Sequence, residues 1–238
     1  MPVPDPAAGA KDRDGPLPLL LLVLTVVTGL VDAVSYLKLG HVFVANMTGN
    51  VVFLGFAVAG DRDFSIPASL VAIAAFMLGA LAGGRLGAQV GHHRGRYLAL
   101  ATLIKIGLVG VALAVAATLP DTGDERVQYT LIALLALAMG LQNATARRLG
   151  VPDLTTTVLT LTLTGLAADS SLASGSNPRP GRRTIAVATM FFGAVVGAWL
   201  VLRVGVAAVL LVMLTLQVFN AIVAYRAWSS SEPWTAGA

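Results

Sequence analysis

The chain has no cysteine, so disulfides, thiolate nucleophiles and Cys-based metal sites are excluded. It is also poor in charge. Only 12% of its 238 residues are Asp, Glu, Lys or Arg, against about a quarter in an ordinary soluble domain. Aromatic residues are scarce as well, at 6%. Such a chain cannot coat a normal surface with solvated groups. What it has instead is apolar bulk: 56% hydrophobic residues and a mean hydropathy of +0.81. The solvent that suits it is a bilayer. Its 25 glycines suit close helix packing in lipid, where water does not drive helices together.

The formal charge of +4 and pI of 9.9 do not point to nucleic acid. The 16 Lys and Arg residues are spread among short loops and form no single patch. Basic loops are expected of membrane proteins, whose cytoplasmic segments collect Lys and Arg. Loops such as "HHRGR" (92–96) and "RPGRR" (179–183) are expected to meet anionic lipid headgroups. The Pro-, Gly- and Asp-rich start (1–16) and the polar tail (227–238) read as disordered. The apolar run that follows the start lacks a cleavage site and reads as a retained span.

A spanning helix needs about 20 apolar residues. Candidates lie at 17–38, 66–90, 97–119, 127–148, 183–203 and 205–226, which makes six and an all-α membrane bundle. Two further apolar stretches are unusual. "VFVANMTGNVVFLGFAV" (42–58) carries amides, a hydroxyl and a glycine, and "LTTTVLTLTLTGLAAD" (154–169) carries six threonines.

An internal duplication is expected, with repeat one at 17–119 and repeat two at 127–226. "GLVDA" (29–33) resembles "GLQNA" (140–144), which sets Asp32 against Asn143. "NMTGN" (46–50) aligns with "VLTLT" (158–162), so Thr48 meets Thr160 and Asn50 meets Thr162. "FMLGALAGGRLG" (76–87) aligns with the stretch from Phe191 through Gly193 and Gly197. If both polar segments cross fully, the halves are parallel, 4+4, with eight spans. If each dips in and returns, the halves are inverted, 3+3. The inverted topology gathers more of the basic loops on one side, with "DRDF" and "DTGDE" on the other; Lys38, His41 and Arg203 are its exceptions.

"TGLVDAVSYLKLGHVFVANMTGNVVFLG" (28–55), with "GLQNATARRLG" (140–150) and the Thr-rich segment after it, resembles the YoaK-like family of bacterial membrane proteins. The resemblance covers about 17–226. It implies a six-span bundle in the bacterial cell membrane, and no substrate, reaction or cofactor. Where the family often has a T-G-T/N element, this chain has Thr160-Leu161-Thr162.

The residues themselves suggest a site. Irregular backbone survives at membrane depth only where protein or water surrounds it. Gly49 permits a break, and Asn46, Thr48 and Asn50 can satisfy backbone or contact a solute. The plainer alternative is hydrogen-bonded glue between helices. Asp32, inside the first span, calls for a cavity or a partner, and Lys105 is the expected counter-charge unless it snorkels to the interface. Gly79, Gly83 and Gly87, matched by Gly193 and Gly197, form a packing strip that should lie against its counterpart or against the polar segments. His92 and His93 lack a nearby carboxylate and read as loop residues, not metal ligands. Asp32 with Thr48 could be imagined as an acid and nucleophile, but no His or Lys at useful spacing supports them, no catalytic motif is present, and the expectation is a non-enzyme. The two functional expectations are a small-solute transporter or channel, with a site between the polar segments, and a non-transporting membrane assembly or stress factor.

Overall fold

The computed structural model describes residues 14–119, 124–154, 159–175 and 179–236. Residues 1–13, 120–123, 155–158 of the Thr-rich segment, 176–178 and 237–238 lie outside them. Within the described residues the architecture is all-helical: α1 (Leu17–Lys38), α2 (Met47–Val58), α3 (Ile66–Val90), α4 (Arg94–Thr118), α5 (Glu125–Leu149), α6 (Leu159–Ala168), α7 (Pro180–Arg203) and α8 (Val206–Arg226).

Six of these helices, of 21 to 25 residues, are long and apolar enough to cross a bilayer. At 1.5 Å per residue they reach about 32–38 Å, against a hydrocarbon core of about 30 Å. The same arithmetic gives α2 about 18 Å and α6 about 15 Å, too short to cross. Local chemistry fixes the ends. Ser65 caps α3 by accepting from Ala68 N at 3.3 Å, and Pro67 occupies the first turn, where no N–H is needed. Asp124 caps α5 through Arg126 N at 2.7 Å, and Gly150 closes that helix in the left-handed conformation.

Packing runs through glycines. A Cβ on Gly79 would strike the Leu137 carbonyl, and one on Gly83 would strike Leu141 and Ala144, so α3 and α5 lie in near contact and run in the same direction. A Cβ on Gly193 would strike the Val26 carbonyl, and one on Gly197 would meet Leu30 and Ala33, so α7 and α1 do likewise. Gly140 meets Phe76 and Ala80, as Gly29 meets Met190 and Ala194. Small residues let backbones approach this closely. The two glycine strips therefore do not face each other, as the sequence suggested. Each packs against the first helix of the opposite half.

These pairings fix the directions. Helix α4 reverses α3 after a short turn, and α8 reverses α7 through Gly205, whose φ is +124°. Gly95 of α4 lies beside Ala227, just past the end of α8, and Ala116 borders one cavity with Ala207 near its start, so those two helices are antiparallel. The directions then alternate along α1, α3, α4, α5, α7 and α8. The segment 39–65 consequently enters and leaves at one end of the bundle, and 150–179 enters and leaves at the other. This is the six-span arrangement with two re-entrant segments, and it leaves no room for eight crossings.

Large side chains such as Met77, Phe191, Trp199 and Leu161 face outward, as they would toward lipid. The tail departs from expectation. Instead of disorder over 227–238, residues Pro233–Thr235 form a 3-10 turn and Trp234 is buried against Gly15. Arg94 donates to the Trp234 carbonyl at 3.4 Å, Arg96 to the Trp228 carbonyl at 2.9 Å, and His93 contacts the Ser230 carbonyl at 3.0 Å. One aromatic anchor and three helix-end side chains outweigh the polar composition of the tail. At the other end, Asp14 pairs with Arg94 and Arg182, so residues 14–16 are also tied down.

Candidate functional site

The first re-entrant segment is built on α1. Gly40 and His41 adopt positive φ, +83° and +54°, and turn the chain back along the helix it has just left. Asp32, about two turns before the end of α1 and 5% exposed, receives the returning strand. Its Oδ1 accepts from Val44 N at 3.2 Å and Ala45 N at 3.0 Å, and its Oδ2 accepts from the Asn46 side chain. Three donors converge on one carboxyl group. They satisfy backbone that belongs to neither helix nor sheet, as burial demands.

Asn50 performs the next closure. Its Oδ1 accepts from Phe43 N at 2.7 Å and its Nδ2 donates to the Phe43 carbonyl at 2.5 Å. The side-chain amide thus pairs with one residue of the descending strand as a neighbouring strand would. The Phe43 ring lies over Gly49, where a Cβ would sit 2.6 Å from it, and stacks on Tyr36 at 5.3 Å. Two expectations change here. The break falls at 39–46, not at Gly49, which lies in the first turn of α2 and makes room for a ring. Asn50 is fully buried and engaged by Phe43, so it does not present its amide to a solute.

The segment descends as irregular backbone to the level of Asp32 and returns as α2. The start of α2 opens onto a cavity of about 380 Å³. Asn46 and Thr48 line it from the first segment, Thr160 from the start of α6, Asn143 from α5 and Phe76 from α3. Four of the residues marked by sequence, two from each half, therefore share one cavity. Asp32, Asn50 and Thr162 do not line it. Asp32 acts on it through Asn46, and Thr162 is buried in α6. Asn143 donates to the Met139 carbonyl of its own helix at 2.9 Å while bordering the cavity.

The second segment is held differently. Arg183 of α7 donates to Asp153 at 3.0 Å and to Asp169 at 2.7 Å, and its guanidinium lies across Gly165. Asp153 sits at positive φ, +65°. An arginine on the fifth span thus secures the second hairpin, where an aspartate on the first span secures the first. Sequence reading treated Arg183 only as a basic loop residue. The signal for its role was its setting, one turn inside an apolar helix with two aspartates nearby in the chain.

Lys105 is also reassigned. It is 1% exposed, but its Nζ donates at 2.6 Å to Gln142 Oε1 and not to Asp32. Gln142 Nε2 donates in turn to Thr28 Oγ1 at 3.0 Å and the Leu24 carbonyl at 3.2 Å. Asp32 has its donors in the strand 44–46, so the two charges are separately accommodated. Gln142 escaped sequence reading because it lies in no motif, next to the more conspicuous Asn143.

The fold and site define a multi-pass helical membrane protein with two re-entrant hairpins meeting at a polar cavity. The chain belongs to a family of proteins of unknown function, DUF1275, whose profile matches residues 20–223. It is 36% identical over 152 residues to the UPF0700 transmembrane protein YoaK of Bacillus subtilis (strain 168). That match covers 64% of this chain and 66% of the relative, just under two thirds of its length. No solved structure matches.

Proposed function

We propose that the protein moves a small polar solute across the bacterial cell membrane through the cavity at Asn46, Thr48, Asn143 and Thr160. The observation that carries this reading is the convergence of those four side chains, from both halves of the chain, at the inner ends of two re-entrant segments. Discontinuous helices that meet between inverted repeats are a common way to build a site inside a bilayer. Paired contacts support a duplication behind that geometry. Gly79 with Leu137 repeats as Gly193 with Val26, and Gly140 with Phe76 repeats as Gly29 with Met190. Opposite directions of α1 and α5 support an inverted relation between the two repeats.

The end carrying Arg94, Arg96, Arg147, Arg148, Arg182, Arg183 and Arg226 is assigned to the cytoplasm and to anionic headgroups, with both termini on that side. The runner-up reading is a non-transporting membrane assembly or stress factor. The full engagement of Asp32 and Asn50 within their own hairpin favours it.

The test is uptake of a panel of small polar solutes into proteoliposomes, with Thr48→Leu and Thr160→Leu as variants that fill the cavity from either half. Flux in the parent chain that both variants abolish, at unchanged thermal stability, supports transport. Absence of flux for every solute, with both variants behaving as the parent, favours the assembly reading.

A further inference from the structure

Helices α4 and α8 carry a second group of buried polar side chains, none of which lines the cavity above. Helices α4 and α8 are antiparallel. A Cβ on Gly95 would lie 3.0 Å from the Ala227 carbonyl, and Ala116 and Ala207 border one cavity at the opposite end. Counting ten residues inward from Gly95 and from Ala227 sets Lys105 and Gln217 at the same depth of the bundle. Asn220 lies one turn away on the same helix. Gln217 and Asn220 are both fully buried, and none of their four amide nitrogen and oxygen atoms has a hydrogen-bond partner. A buried amide without partners is costly, and this helix carries two of them at the depth of an almost fully buried lysine.

Lys105 donates one of its hydrogens to Gln142. Among the described residues the ion pairs are made by Asp14, Asp153 and Asp169 with arginines, so no carboxylate neutralises it. A buried ammonium calls for a counter-charge. The same seam opens at its far end into a cavity of about 360 Å³ lined by Lys38 and Arg203. Those two residues break the charge asymmetry of the loops, lying at the end opposite the arginine cluster. Cations around a mouth raise the local concentration of anions. From Ala116 at that mouth to Lys105 is eleven residues of α4, about 16 Å of helix.

We propose that the protein binds a small inorganic anion of halide size at Lys105, Gln217 and Asn220, admitted past Lys38 and Arg203. The Lys105 ammonium and the amide N–H groups of Gln217 and Asn220 take the ion, and a water carried with it donates to the two amide oxygens. The site is independent of the transport reading.

The experiment measures thermal unfolding of the purified full chain in detergent, at constant ionic strength, in sodium bromide, chloride or gluconate. A halide should raise the midpoint over gluconate by on the order of 5 °C, as expected for a ligand well above its dissociation constant. Lys105→Met should abolish the difference, and Asn220→Leu should at least halve it. If Lys105→Met fails to fold, Asn220→Leu and Gln217→Leu carry the test, since both retain the ammonium. Equal midpoints in halide and gluconate overturn the proposal, as does a halide shift that persists undiminished in all the variants. Thr48→Leu, in the other cavity, should keep the full shift, which separates this site from the solute site.

Discussion

Asn46 and Asp32 meet amide to carboxyl across the descending strand, and Val44 and Ala45 complete the carboxyl group's set of donors. Polarity matters in this contact. In Asp32→Asn the new amide nitrogen would face the amide nitrogen of Asn46, and two donors would oppose each other. The expected loss is about 1–3 kcal/mol, the cost of an unmatched buried polar group. The exchange Asp32→Asn with Asn46→Asp restores a donor–acceptor pair and should recover part of the loss. Thermal unfolding of the three variants checks this. A double variant no more stable than the worse single one would remove Asp32–Asn46 as the clasp of the hairpin.

Asn50 should behave as a structural residue. It makes two bonds to the Phe43 backbone, so Asn50→Ala leaves a partly buried N–H and C=O unpaired, at a cost of about 2 kcal/mol. Thr48→Ala, at an exposed position on the cavity rim, should change stability by less than about 0.5 kcal/mol. Expression level and unfolding midpoint measure both. Comparable losses in the two variants would mean that Phe43 does not depend on Asn50.

Much of this fold was legible in the sequence because a bilayer makes simple demands. Six apolar runs of spanning length became six helices, and the segments too polar for lipid became the re-entrant hairpins. Asn46, Thr48, Asn143 and Thr160 stood out because a hydroxyl or amide in such a run has few reasons to be there. The partners of each polar group were not legible. Asn50 and Asp32 look equally suited to a solute until the strand 43–46 is seen to fold back onto them. Lys105 found Gln142, not Asp32, because the choice depends on which helices adjoin. Gln217 and Asn220 sit in an unbroken apolar helix and give no motif. Trp234, with Arg94, Arg96 and His93, ordered the tail through contacts that composition does not register.

The two ends of the bundle can be told apart with single cysteines, since the chain has none of its own. Asp61 is exposed in the first re-entrant segment and Leu172 in the second. The alternating helix directions place these segments at opposite ends, and the arginine-rich end is the one proposed to face the cytoplasm. A cysteine at Asp61 should react with an impermeant thiol reagent added to whole cells. One at Leu172 should react only after the membrane is opened. Eight crossings would put both residues on the same side, so equal labelling of the two would refute the six-span topology.

The last prediction concerns the glycines that bring the halves together. Gly79 and Gly84 stand five residues apart on one helix and have the same helix propensity, so a comparison between them isolates packing. At Gly79 a methyl group would overlap the Leu137 backbone, and backbone cannot yield as a flexible side chain can. At Gly84 nothing lies within 4 Å. Gly79→Ala should therefore cost about 1–3 kcal/mol through forced separation of α3 and α5. Gly84→Ala should be neutral or stabilising by about 0.5–1 kcal/mol, since alanine restricts the unfolded chain and favours helix. The corresponding contact of the other half is Gly193 against Val26, and Gly193→Ala should lose a similar amount to Gly79→Ala. Unfolding midpoints of the three variants in one detergent give the comparison. Equal midpoints at Gly79 and Gly84 would dismiss the close approach of α3 and α5. A large loss at Gly79 with none at Gly193 would instead break the correspondence between halves, because matched contacts at matched depth should carry matched costs.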